Sequence, residues 1–320
     1  MPESKPLVVT YPDDDLYGRL ADLRARYVDR IEFIPWGMEK PLPADLAQQV
    51  KVVLVGHYWG GRDWSLLNQF PNLKVVQLPS AGFEHAAPHV PPGVTLCNGR
   101  GVPSTGTAEL TLAMVLAAQR GMGAAVDAQR REHWHAPFLT GLADRRVLVV
   151  GAGSVADAII KRLEPFEVDL TVVARTARTS EDGRRIHGIS ELPQLLPQAE
   201  IVIIAVPHDA STHQLFDHEM LAALPDNALV VNVARGKVVH TDALVAELAS
   251  GRLRAALDVT DPEPLPPGHP LWRTPNTIII AHQGSHTDAT YPRYANLVRR
   301  QLIHLLNDEP LENVISLPTG

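Results

Sequence analysis

Apolar positions along the chain gather into two series of short runs. The first comprises LVVT at 7–10, RIEFI at 30–34, KVVLVG at 51–56, LKVVQL at 73–78 and VTLCN at 94–98. Val and Ile dominate these runs and helical patterns separate them, which predicts five strands of one small parallel sheet. The second comprises RVLVV at 146–150, LTVV at 170–173, EIVIIAV at 200–206, ALVVNVA at 228–234, RAALDV at 254–259 and TIIIA at 277–281. Six such strands with intervening helices predict a doubly wound sheet.

Between the two series, TAELTLAMVLAAQR at 107–120 is apolar nearly all round. That pattern predicts a helix buried between layers or subunits. Thr241 and Gly251 bracket another helix as N-cap and C′ residue. DPEPLPPGHP at 261–270 holds too much proline for regular structure and predicts a loop leading into the last strand. The final periodic stretch, YANLVRRQLIHLLN, is expected to return to the first domain. The class is α/β, with residues 1–98 and 288–320 in one domain and 99–287 in the other.

Composition narrows the function classes. The 320 residues carry 29 Lys and Arg against 36 Asp and Glu, a net charge of -7, so no basic surface for nucleic acid or anionic lipid is implied. The longest apolar runs fall well short of the roughly 20 residues that cross a bilayer. The opening MPESKPLVVT lacks the features of an export signal, and Cys97, the single cysteine, excludes an internal disulfide; both fit a cytoplasmic protein.

RVLVVGAGSVADAIIKRL at 146–163 reads as strand, glycine turn and helix. Gly151 suits the tight turn, Gly153 lets backbone approach a pyrophosphate, and Ala156 fills the close-packed third position. The phosphates would sit over the helix N-terminus, whose unpaired N–H groups favour an anion. The next strand runs into VVARTAR, placing Arg175 where such units usually carry an acid for the ribose 2′-hydroxyl. A guanidinium there favours a 2′-phosphate, with Thr176 and Arg178 adding a hydroxyl and a second charge. NADPH is therefore expected in preference to NADH; a solvated surface arginine is the plain alternative.

Three segments fall at successive strand ends: VNVARG at 231–236, LDVTDPEP at 257–264 and IIIAHQGSHT at 278–287. Arg235, Glu263 and His282 would then face one crevice, offering a cation for a carboxylate, an acid for a developing alkoxide and a carboxylate to tune that acid. Singly, each could be structural: an arginine paired with a buried acid, a solvated glutamate, a satisfied strand-end histidine.

Together with SAGFEH at 80–85 and NGRGVPSTGTAEL at 98–110, these segments resemble the D-isomer-specific 2-hydroxyacid dehydrogenase family over nearly the whole chain. The resemblance implies a Rossmann-type doubly wound parallel sheet plus a smaller flavodoxin-like α/β substrate domain. It implies that Arg235 binds substrate, that His282 is the general acid and base, and that Glu263 hydrogen-bonds His282. Backbone amides around Ala81 and Gly82 would hold the substrate carboxylate. Ser154 and Val155 would line the pyrophosphate, Pro207 and Thr212 the adenosine side, and Asp258 the nicotinamide carboxamide, with Thr107 a further cofactor contact. The VVARTAR loop is similar to that of NADPH-using glyoxylate and hydroxypyruvate reductases. Two positions depart from the family: Ala281 stands where a proline is usual, and Gln283 where an aliphatic residue is common.

The expected activity is reduction of a small 2-oxo acid by NADPH, with NAD less favoured, in a site that closes about hinges near residues 99 and 287. A homodimer through the 107–120 helix is expected. The competing readings are a nucleotide-sensing, corepressor-like binding protein and a phosphite dehydrogenase on the same scaffold; a formate enzyme of this family would carry Gln in place of Glu263. His85 with His89, and His282 with His286, have i, i+4 spacing, but Pro88 and Gly284 argue against helix there, so no metal site is expected. No G-x-S-x-G elbow is present. His57, Tyr58 and Trp59 could wall a substrate cleft, and Trp134 could reach a partner subunit; the sequence leaves both open.

Overall fold

Each apolar run named above contains a strand in the computed structural model, which describes residues 5–57 and 61–316. Tyr58 and Trp59 therefore lie outside the described residues. The chain divides into two compact units, residues 1–103 with 288–320 and residues 104–287.

In the first unit, β1 (Leu7–Tyr11), β2 (Ile31–Pro35), β3 (Val50–Leu54), β4 (Val75–Gln77) and β5 (Thr95–Cys97) form a parallel sheet in the order β2-β1-β3-β4-β5. This is the flavodoxin-like strand order. The helix Thr290–Leu306 covers one face, burying Tyr294, Leu297, Val298 and Leu302 against Val9, Val52 and Val75. The Tyr294 hydroxyl lies 2.9 and 3.1 Å from the carbonyl oxygens of Val55 and Gln77, so its polar end is satisfied in the core.

The second unit carries β6 (Arg146–Val150), β7 (Asp169–Ala174), β8 (Arg178–Thr179), β9 (Arg185–Gly188), β10 (Ile201–Ile204), β11 (Leu229–Asn232), β12 (Arg254–Leu257) and β13 (Thr277–Ile279). Their order is β13-β12-β11-β10-β6-β7-β9-β8, all parallel except the β8–β9 pair. Alternation along the central strands feeds two cores. Val147 and Val149 of β6 join Ile201 and Ile203 under the helices Ser104–Gln119 and Ser154–Leu163. Leu148 and Val150 join Val202 and Ile204 on the other face, with Phe216, Leu221, Leu244 and Leu248. Burial of both faces explains why these strands read as unbroken apolar runs.

Two sequence expectations need correction. The six-strand sheet has eight strands, because the polar stretch 175–188 folds into an edge hairpin around Asp182 and Gly183, the latter at φ +85°. Thr241 is the first helical residue and His240 is the N-cap, its ring accepting from the Ala243 amide, while Gly251 at φ +77° does close the helix Thr241–Ala249. On the helix Ser104–Gln119, Ala108, Leu112, Met114 and Val115 are buried in the β6–β10 core, as a helix packed on a sheet layer requires, while Leu110 and Leu116 are half-buried. No helix among the described residues is long and apolar enough to cross a membrane.

Candidate active site at the carboxyl edge of the large sheet

The turn after β6 shows two glycines held for different reasons. Gly151 sits at φ +136°, and a β-carbon there would stand 2.4 Å from the Ala205 carbonyl oxygen, so the protein itself requires glycine. Gly153 has an ordinary backbone and nothing within 4 Å of where its β-carbon would be. The protein leaves that space open over the first turn of the ten-residue helix Ser154–Leu163, which begins with Ser154 and Val155. Ala156, Ile159 and Leu163 are fully buried beneath it. An open cradle of backbone N–H groups at a helix N-terminus fits the pyrophosphate of a dinucleotide.

At the far end of the same edge, β11, β12 and β13 are sheet neighbours and deliver Arg235, Glu263 and His282 on the loops that follow them. Asn232, buried at the end of β11, fixes the first loop: its carbonyl accepts from the Ala234 amide at 3.0 Å and its amide donates to the Arg235 carbonyl at 3.0 Å. Arg235 in turn donates to the Ala234 carbonyl at 2.7 Å, which sets its guanidinium. Gly236 lets this loop press on the next, since a β-carbon there would meet the Thr260 carbonyl oxygen at 1.9 Å.

Asp258 ties the second loop to the third. Its carbonyl accepts from the His282 amide at 2.8 Å, and its carboxylate from the amides of Gln283 at 2.7 Å and Gly284 at 3.1 Å. Burial raises the Asp258 carboxyl above its ordinary value, opposed by those two amides and the neighbouring imidazole. Between these fastenings His282 adopts φ 51°, a strained backbone for a side chain of its size. Its Nδ1 is hydrogen-bonded to Glu263 Oε1, which leaves Nε2 as the nitrogen facing away from the carboxylate. A histidine oriented by a carboxylate through Nδ1 can give and take a proton at Nε2.

Thr107 joins this end of the site. A β-carbon at Gly284 would lie 3.0 Å from Thr107 Oγ1, so the first turn of the helix Ser104–Gln119 abuts the loop after His282. Asp258 and Thr107 thus both brace the histidine loop.

The adenosine end is organised differently. Arg175 follows β7 directly and pairs with Asp209 at 2.9 Å, in the loop after β10. Thr176 presents its carbonyl to Arg178 at 3.4 Å, and Arg178 opens the edge hairpin. Thr212 is turned inward, donating to the Pro207 carbonyl at 2.7 Å and accepting from the Asp209 amide at 2.8 Å, so it and Pro207 shape the loop. Asp209 and Asn232 were not singled out from sequence. A buried Asn in an apolar run, as in VVNVA, signals a loop clamp, whereas DAST reads only as a local turn and hides a charge partner 34 residues away.

In the first unit, the Ala81 carbonyl accepts from the Asn98 amide at 2.6 Å and the Gly82 carbonyl from the Ser80 hydroxyl at 2.7 Å. Those carbonyls are turned into their own fold. His85 and His89 lie against the ring of Trp64, at 5.6 and 6.4 Å between centroids. Among the described residues no group of three His, Cys, Asp or Glu side chains could hold a metal ion.

A doubly wound sheet with an open glycine cradle at its first strand and a carboxylate-held histidine at its edge defines a dinucleotide-binding α/β protein. Residues 112–284 match the model of the D-isomer specific 2-hydroxyacid dehydrogenase, NAD binding domain. A glyoxylate reductase of Thermofilum pendens is 35% identical over 259 residues, 77% of this chain and 76% of that protein. The human glyoxylate reductase/hydroxypyruvate reductase is 31% identical over 255 residues, covering 77% and 78%. A D-isomer specific 2-hydroxyacid dehydrogenase from Xanthobacter autotrophicus Py2, solved in complex with NADPH and MES, shares 28% identity with a TM-score of 0.80 over 98% of both chains. The chain belongs to the D-isomer specific 2-hydroxyacid dehydrogenase family.

Proposed function

We propose that this chain reduces a small 2-oxo acid of the glyoxylate or hydroxypyruvate kind to the D-2-hydroxy acid, using NADPH in preference to NADH. The observation that carries the reading is the His282–Glu263 hydrogen bond on a loop fastened to the strand end beside Arg235. Arg235 would grip the substrate carboxylate and polarise the carbonyl, with the amides of Ala81 and Gly82 as further carboxylate donors. His282 would pass the proton on Nε2 to the alkoxide oxygen as it forms, while Glu263 stabilises the imidazolium that must be present beforehand. The bound nicotinamide supplies the hydride. Gly151, Gly153, Ser154 and Val155 would hold the pyrophosphate; Arg175, Thr176 and Arg178 the 2′-phosphate; Pro207 and Thr212 the adenosine wall; Asp258 and Thr107 the nicotinamide side. The reductase names of the relatives support this over the nucleotide-sensing and phosphite-oxidising alternatives.

The test is turnover of a panel of 2-oxo acids with each reduced cofactor, alongside Arg235→Ala. Turnover with NADPH, and a rise in KM for the acid of about a hundredfold or more in the variant, is expected for loss of a carboxylate-bound guanidinium. Tight NADPH binding with no turnover of any acid contradicts it.

We also infer a homodimer through the helix 107–120 and the segment 122–139 that follows it. Among the described residues, the exposed large hydrophobics Met122, Val126, Trp134, Phe138 and Leu139 lie within 18 residues, with Trp134 at 95% exposure. Such a patch favours a covering partner. Light scattering should give twice the chain mass, and the double variant Trp134→Ser, Phe138→Ser the single mass; a monomeric parent contradicts it.

A further inference from the structure

The Arg175–Asp209 pair joins two loops that lie on opposite sides of the glycine turn. In the sheet β6 stands between β7 and β10, so the loops carrying the two residues flank the glycine turn from opposite sides. Those two strands are two sheet spacings apart, about 10 Å. The guanidinium and carboxylate, 2.9 Å apart, therefore bridge loops on either side of the carboxyl end of β6, beside the turn that would receive the pyrophosphate.

Asp209 is built for this position from its own side. Its Oδ1 accepts from the Ser211 amide at 2.8 Å and the Ser211 hydroxyl at 2.5 Å, its amide donates to Thr212, and only Oδ2 is directed to Arg175. The Ser211 hydroxyl and amide, together with the Arg175 charge, keep its carboxyl below the ordinary value. Arg175 is 74% exposed and Asp209 40%, so the arginine is the long, solvated partner and the aspartate the fixed one.

We propose that Asp209 is a second cofactor-specificity residue, opposing Arg175: it neutralises the guanidinium and sets a carboxylate beside the place of the 2′-phosphate. This rests on the reading of Arg175 as the 2′-phosphate ligand. A cofactor with the phosphate must displace Asp209 from Arg175 and bear its repulsion, whereas a free 2′-hydroxyl can donate to the same carboxylate. Asp209 thus caps the preference for NADPH and preserves use of NADH.

Equilibrium binding tests it without turnover, by titrating NADPH, NADH, 2′,5′-ADP and ADP into the intact chain at one fixed pH. In Asp209→Asn the acceptor for Ser211 survives and the charge does not. The Kd for NADPH and 2′,5′-ADP should fall about three- to fivefold, the scale of one exposed charge contact, with NADH and ADP unchanged or weaker. Asp209→Ser should shift both in the same direction. An NADPH to NADH ratio that is unchanged or lowered in both variants overturns the role of Asp209. Arg175→Ala separates the two ideas: if it leaves 2′,5′-ADP binding intact, the underlying reading of Arg175 fails instead.

Discussion

At the β11–β13 end of the large sheet, Arg235, Glu263 and His282 stand on loops that hold one another. Asn232 clamps one loop, Gly236 presses it against the next, and Asp258 fastens that to the third by accepting from three backbone amides, one at its carbonyl and two at its carboxylate. At the β7–β10 end, Arg175 and Asp209 meet through one solvent-exposed contact. Proton transfer depends steeply on distance and angle, so its groups need braced supports. Charge discrimination between two cofactors falls off gently and works from a surface pair. The two ends should therefore respond to substitution on different scales.

His282→Ala should show the largest effect. A fall in kcat of about a hundred- to ten-thousandfold is expected for loss of a general acid, with NADPH Kd unchanged in a fluorescence titration; near-normal kcat would remove the histidine from the reaction. Next come the two glycines. Gly151→Ala should cost about 3 kcal/mol or more in urea unfolding, through its positive φ and the clash with the Ala205 carbonyl. Gly153→Ala should leave the urea midpoint in place, because its β-carbon meets nothing within 4 Å, and weaken dinucleotide binding about tenfold if that space takes the phosphates as proposed.

Asp258→Ala strips acceptors from the Gln283 and Gly284 amides, and a loss of about 2 kcal/mol is expected, together with a lower kcat as the His282 loop loosens. An unaltered kcat would show that the brace is dispensable. The smallest effect belongs to the exposed end. Raising salt from about 0.05 to 0.5 M should shrink the difference in Kd between NADPH and NADH by a few-fold and leave kcat unchanged, since only the surface pair is screened.

What the sequence made legible follows the same division. The eleven apolar runs, the glycine turn and the ARG, DPEP and His-x-Gly segments were readable because buried parallel strands are continuously apolar and site loops follow their carboxyl ends. The edge strands β8 and β9 were not, because Arg178 and Thr179 are exposed and carry no apolar period; the Asp182–Gly183 pair was the available hairpin signal. Residues 107–120 showed the right helix, but an all-round apolar pattern does not separate the positions its own sheet covers, such as Ala108 and Val115, from those left half-buried, such as Leu110 and Leu116. The Arg175–Asp209 contact was illegible for a simpler reason: it is a tertiary pairing between two loops, each of which reads locally as a turn.

In the proposed reaction His282 protonates the substrate oxygen while the reduced nicotinamide gives its hydride to the adjacent carbon. Its most direct measurement is product analysis after turnover of hydroxypyruvate with NADPH deuterated at the transferring face of C4. The parent should yield D-glycerate carrying one deuterium at C2, and His282→Ala a negligible rate of the same product. Glycerate of the L configuration, deuterium absent from C2, or an equal rate in the variant would contradict it.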